Sequence, residues 1–430
     1  MKRPNQIPYL VYANEKGQIF DFPGLRMAGR SGNLFHPIQP TDLIPLPEGS
    51  ELFVLPDRLP VGWDSEKDEM VVVDSIPGQR GKVMAVAAFI APAHTQLAMA
   101  AFQREKKDLP PLPLFAYTAV GWYGNSFWVP AFRSDLDIRQ DARHFDLTAI
   151  RKNTTSRMKE APHNRLIQHL GRCSLTYGCP AAKNLFLNRY EAPLPTSPAC
   201  NARCLGCISL QPPNGPPATQ ERIRFVPTPE EIAGIAIPHL KQAPRAIVSF
   251  GQGCEGEPLL QAETIKSSIQ LMRKATSRGT INLNTNASRP RAVELLREAG
   301  LNSMRISLNS IREHYYHAYY RPVDYTQKDV IASCKAMKEA GGFVSLNYFI
   351  FPGLTDEVQE LERLEEVIAE TGLDFIQLRN HNIDPDWYLN EIHYSYSGHR
   401  LGIKTMIKML KKRFPHLGFG YFNPYLEKAE

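Results

Sequence analysis

Hydrophobic positions change their spacing twice along the 430 residues. Up to about residue 150 they alternate, or run in short blocks broken by glycine, proline and asparagine, as half-buried strands do. Residues 8–13 and 18–20, joined by the turn 14–17, read as a hairpin. Residues 114–122 and 127–132, separated by Gly124-Asn125, read as a second one, dense in β-branched and aromatic side chains. Residues 51–55 and 70–73 are further short strands, so residues 1–150 are expected to form a small β-rich domain. Between 151 and 185 the spacing becomes helical. Leu166, Ile167, Leu170 and Leu175 share one face, and Cys179-Pro180 stops the helix over 164–177. This segment is read as a bridge.

From there strand and helix patterns alternate. Strands are expected over 184–190, 245–250, 280–284, 303–308, 343–351 and 374–378, with helices over 228–242, 262–277, 289–298, 327–339 and 355–370 between them. Thr228-Pro229-Glu230-Glu231 is an N-cap with proline at the first helical position and acids in the first turn. Gly300, Gly341 and Gly372 fall where helix C-caps belong. Repeated βα units call for a parallel sheet with helices outside it, doubly wound or a full or partial barrel, over residues 186–385. A last amphipathic helix over 401–414 makes residues 386–430 a helical end.

Composition changes this picture little. Lys and Arg number 50 against 44 Asp and Glu, and a net charge of +6 on a chain this long does not indicate a nucleic-acid partner. With 43% hydrophobic and 22% charged residues, a disordered or fibrous chain is excluded. The most apolar run, 83–102, contains Pro92, His94 and Gln96, which suit neither hydrocarbon nor a membrane partner. The apolar stretch at 9–13 is too short for a secretory signal, so a cytoplasmic location is expected.

The chemistry lies in the cysteines. There are seven, an odd number that argues against a disulfide framework, and three of them fall within eight residues: Cys200, Cys204 and Cys207. The spacing C-x3-C-x2-C puts three soft ligands on one loop with no local fourth. Such a loop can hold three irons of a [4Fe–4S] cluster and leave one iron open to something that is not protein. Structural zinc and an electron-carrier cluster would each want four protein ligands.

On these residues the chain resembles the radical S-adenosylmethionine (SAM) superfamily, and the resemblance covers about residues 184–385. Asn201 after the first cysteine is common there. Glu255-Gly256-Glu257-Pro258 resembles the family's GGEP segment. Asn284-Thr285-Asn286 resembles its TNG turn, and Arg305-Ile306-Ser307-Leu308-Asn309 the pattern RxSLD, with Asn309 where aspartate is common. Tyr320-Arg321-Pro322 and the turn Phe351-Pro352-Gly353-Leu354-Thr355-Asp356 echo further loops. The resemblance implies a partial (β/α)6 radical-SAM barrel behind the β-rich domain. It also implies a [4Fe–4S] cluster on Cys200, Cys204 and Cys207, with SAM chelated by the open iron. The cluster would cleave SAM reductively to a 5′-deoxyadenosyl radical that abstracts hydrogen from a substrate. A low-potential electron donor of ferredoxin or flavodoxin type would feed the cluster.

Candidate SAM contacts are Gly256, Glu257, Pro258, Asn286, Ser307 and Asn309, with Gln377 and Arg379 at the end of the sixth expected strand. Ser307 and Asn309 are expected on one face, toward the barrel interior. The position before the third cysteine, often aromatic in the family, is Gly206. Cys254 is a candidate acid or hydrogen-atom donor, or, with Cys173 and Cys179, a ligand of a second cluster. Free cysteines are also commonly small buried hydrophobes. Two other readings stand beside the enzyme: an iron–sulfur electron-transfer or sensor protein that does not cleave SAM, and a zinc-stabilised binding module.

Overall fold

The structure, a computed structural model, describes residues 4, 6–78, 81–396 and 398–426. Among these, residues 9–133 form a thirteen-stranded antiparallel assembly. The hairpin Tyr9–Ala13/Ile19–Ser31 turns through Gly17 at φ 73°, and Gly121–Tyr123/Ser126–Arg133 turns through Gly124 and Asn125 at φ 57° and 58°. Two successive positive φ values match the turn to the strands' own twist. The second hairpin is shorter than its apolar pattern: residues 114–120 are connection apart from single bridges at Thr118.

The bridge holds three helices. Leu147–Glu160 carries little apolar periodicity and was not expected. Arg165–Leu175 is capped by Asn164, whose side chain accepts the Ile167 N–H. Pro180–Phe186 takes the place of the strand expected at 184–190. Leu185, Phe186 and Leu187 form an apolar run too short to distinguish a strand from a buried helix, and Pro180 at the first helical position decides for the helix.

Next come seven parallel strands in chain order: Glu191–Pro193, Ile247–Phe250, Thr280–Thr285, Ser303–Leu308, Phe343–Ile350, Phe375–Asn380 and Gly418–Gly420. Six strand–helix units are thus present as expected, and a seventh strand that the sequence did not announce follows them. The segment expected to be only a helical end supplies Pro385–Glu391, Ile403–Arg413 and the last strand. The helices expected in the barrel are found at Pro229–Gln242, Ala262–Ala275, Pro290–Ala299, Gln327–Glu339 and Val358–Thr371. One continuous core runs from Leu166 to Leu417 and includes Met99 and Leu114 of the β-rich domain.

The β-rich domain sits at the strands' C-terminal ends. Thr95 donates to the Leu378 carbonyl at 2.9 Å, and the Gln96 N–H to Asn380 at 2.9 Å. Arg58 pairs with Asp384 at 3.2 Å, both buried, and the Leu112 N–H reaches the same carboxylate at 2.8 Å. No helix among the described residues is long and apolar enough to cross a membrane.

Candidate functional site

The cysteine loop leaves the first barrel strand and is fastened on two sides. On one side is the turn after the second strand. The Gly256 N–H donates to the Ser197 carbonyl at 2.6 Å and the Glu257 N–H to the Ala199 carbonyl at 2.8 Å. A Cβ at Gly256 would stand 1.9 Å from that Ala199 oxygen, so only glycine allows the approach. The buried Glu255 carboxylate reinforces the junction by accepting the N–H groups of Thr196, Ser197, Gly251 and Gln252 at 2.7–2.9 Å. On the other side, Arg203 and Leu205 N–H groups donate to the carbonyls of Tyr320 and Tyr319 at 2.9 and 3.0 Å, and Ala202 bridges to Pro322.

Asn201 is held from three directions. It donates to Ser288 at 3.1 Å and to Asp324 at 2.9 Å, and accepts from Asn286 at 2.9 Å. Glu257 in turn orients that asparagine: its carboxylate accepts the Asn286 N–H at 2.8 Å, the Leu259 N–H at 3.0 Å and the Thr285 hydroxyl. Glu257 and Asn286 thus meet the cysteine loop from behind, with Gly256 and Pro258 in the same turn. Burial raises both Glu255 and Glu257 to about 7, against the pull of their N–H donors.

The thiols of Cys200 and Cys204 are both raised by burial, Cys200 to about 11. Arg222, which sequence reasoning missed, places Nη2 3.3 Å from Cys207 Sγ, while its Nε donates to Ser209 at 3.2 Å. The three thiols do not gather within 4.8 Å of one another. Tetrahedral zinc with 2.3 Å bonds would draw its sulfurs to about 3.8 Å apart. Three soft donors on a wider triangle fit a polynuclear cluster instead.

A cavity of about 370 Å³ opens beside this loop at the strands' C-terminal ends. Gly206 and Ile208 of the cysteine loop form one wall, and Ser307, Asn347, Arg305 and Arg379 others. Of the candidate SAM contacts expected from sequence, Ser307 and Arg379 line it. Ser307 accepts from Asn347 at 3.2 Å. Arg379 donates to the Tyr421 carbonyl at 3.1 Å and lies over that ring. Gln377 is fully buried below them, accepting from Arg305 at 3.2 Å and donating to Asn423 at 2.9 Å.

Asn309 lies beyond the last strand residue, Leu308, and donates away from Ser307, to the Tyr315 carbonyl at 3.1 Å and the Tyr388 hydroxyl at 3.0 Å. The expected shared face therefore ends with the strand. Cys254 is buried against Cys173 and Ala182, with Cys179 packed on the same group. A hydrogen bond between the two thiols lowers Cys173 and raises Cys254.

Several cavity groups have no partner among the described residues: both His381 nitrogens, Asn347 Oδ1 and Arg305 Nε. Burial lowers His381 to about 3, so the ring is neutral and stacks on Phe349 at 5.0 Å. Burial, then Arg379, lowers Arg305 to about 10. Glu191 and Asn423, also missed, close the cavity floor with a 2.7 Å hydrogen bond between the first strand and the segment after the seventh. The wall at Gly206 is filled by Tyr319, whose hydroxyl would stand 2.6 Å from a Cβ there.

Residues 194–364 match the family model for the radical SAM superfamily. No curated protein matches the chain. Among solved structures, Streptococcus suis SuiB bound to S-adenosylmethionine is similar at 15% identity over 64% of this chain and 65% of that one, with a TM-score of 0.40. SuiB bound to its precursor peptide SuiA is similar at 12% identity over 59% and 52%, TM-score 0.38. The hydrogenase maturase HydG from Carboxydothermus hydrogenoformans follows at 14% over 63% and 69%, TM-score 0.36. The chain spans about half the length of the peptide-bound SuiB chain it matches.

Proposed function

We propose, since residues 194–364 match the radical SAM family model and members of that superfamily are enzymes that use SAM with a [4Fe–4S] cluster, that Cys200, Cys204 and Cys207 hold such a cluster and that SAM lies in the adjoining cavity. When bound, the cluster supplies the electron that divides SAM into methionine and a 5′-deoxyadenosyl radical able to take a hydrogen atom from a substrate. The observation that supports this most is the contiguity of a three-thiol loop, wider than a single metal ion would draw, with a polar cavity into which unpartnered groups project.

The chain's own residues supply the holding and orienting. Glu255, Glu257 and Asn286 fix the cysteine loop rather than offering free acceptors, so they act as positioning residues. Arg222 donates from Nη2 to Cys207 Sγ and so holds that side chain in place on the loop. Arg305 and Arg379, both in the cavity wall, suit a carboxylate, as of SAM's methionine portion or of a substrate. Tyr319 takes the space that Gly206 vacates and offers an aromatic surface for adenine. An external low-potential donor of ferredoxin or flavodoxin type and a substrate complete the reaction.

The test is spectroscopic. In the anaerobically reconstituted, reduced protein, adding SAM shifts the cluster's electron paramagnetic resonance signal, and the Cys204→Ala variant shows no such cluster. A cluster whose signal is indifferent to SAM would favour the electron-transfer reading.

A further inference from the structure

A second metal-ligating group stands behind the first site, and the proposed function does not use it. His169 and Cys173 lie four residues apart on the helix Arg165–Leu175 and so share one face. Cys254 reaches them from the loop after the second barrel strand. One ligand atom from each of the three lies within 4.8 Å of the others, the only such group of three among the described residues. His169 Nε2 is 3.6 Å from Cys173 Sγ. Cys179 packs against the same pair from the start of the next helix, its N–H donating to the Cys173 carbonyl at 3.0 Å.

We propose that His169, Cys173, Cys179 and Cys254 form a tetrahedral zinc site that fastens the helical bridge to the barrel. Three thiolates and one imidazole are a closed structural donor set for zinc. His169, Cys173 and Cys254 already gather, where the SAM-site thiols stand apart, and Cys179, packed on the same cluster, would close the shell as the fourth ligand. On binding, each thiol gives its proton to solvent, so the site carries one net negative charge. Arg172 and Lys183 lie within electrostatic reach to offset it.

The position gives the site a purpose. Cys254 immediately precedes Glu255, whose carboxylate gathers the backbone leading to the cysteine loop. The Cys254 carbonyl also accepts the Ile223 N–H at 2.8 Å, next to Arg222. Zinc there would tie the bridge helices to the turn that positions Cys200, beside the pairing of the first and second strands.

The test is metal analysis of the full chain, purified without chelators and reconstituted with iron. About one zinc per chain is expected beside about four irons, with an X-ray absorption edge showing a sulfur-rich, one-nitrogen shell. A Cys173→Ser/Cys254→Ser variant loses the zinc and keeps the iron. A variant with Cys200, Cys204 and Cys207 all changed to Ala does the reverse, which decides the matter even if the first variant fails to fold. Zinc that disappears with the Cys200 triad overturns the proposal. So does iron well above four per chain without zinc, or a metal-free protein whose intact mass shows a Cys173–Cys254 disulfide.

Discussion

A missing side chain shapes the wall nearest the cysteines. Gly206 leaves room for the Tyr319 hydroxyl, and an alanine there would overpack a buried contact at a cost of about 1–3 kcal/mol. Gly206→Ala is therefore expected to destabilise the protein in denaturant unfolding, and Tyr319→Phe, lacking the hydroxyl, should recover most of that loss. Additive effects of the two changes would contradict the contact. His381 gives a second residue-scale prediction. Its folded value of about 3 lies below the ordinary 6.5, so its contribution is present above pH 6.5 and is lost as pH falls through that value. Lowering the pH from 7 to 5 should cost the wild type about 2 kcal/mol more than His381→Phe. Glu255 and Glu257, raised to about 7, push stability the other way over this range, and comparing the two proteins cancels them. Identical pH profiles would sink the account of His381. The cysteine triad was legible in the sequence because its spacing is local. Arg222, Glu191 and Asn423 were not, because only the folded chain brings them to the site.

Elements show the same division. Helices with caps and a clear apolar face, such as Gln327–Glu339, could be read to the residue. The first barrel strand could not: it is three residues long and ends at Pro193, which an edge strand tolerates. The seventh is Gly418–Gly420, whose glycines lie where Phe375 packs, so it carries no strand signature of its own. What matters most at this scale is the junction between the turn after the second strand and the cysteine loop. Gly256→Ala would force the Ala199 carbonyl away and is expected to lower cluster affinity about tenfold or more, read as iron retained after reconstitution. Unchanged iron content would show that the loop keeps its shape without this junction.

Across the whole molecule, the β-rich domain and the barrel share buried polar contacts that composition and periodicity could not reveal. Asp384 serves both, accepting from Arg58 and the Leu112 N–H while capping the helix Pro385–Glu391. Asp384→Ala would leave the Arg58 charge buried and poorly paired, a loss of about 3–5 kcal/mol. The β-rich domain should then release from the barrel mouth and become sensitive to protease while the barrel stays folded. An unchanged digestion pattern would contradict this docking. The central claim is that these parts together present SAM to a cluster on Cys200, Cys204 and Cys207. It is tested most directly by measuring 5′-deoxyadenosine formed from SAM by the anaerobically reconstituted, dithionite-reduced protein beside its Cys204→Ala variant. The account predicts product from the wild type and none from the variant. A wild-type protein that carries its full iron and binds SAM, yet forms no 5′-deoxyadenosine with or without candidate substrates, would contradict it.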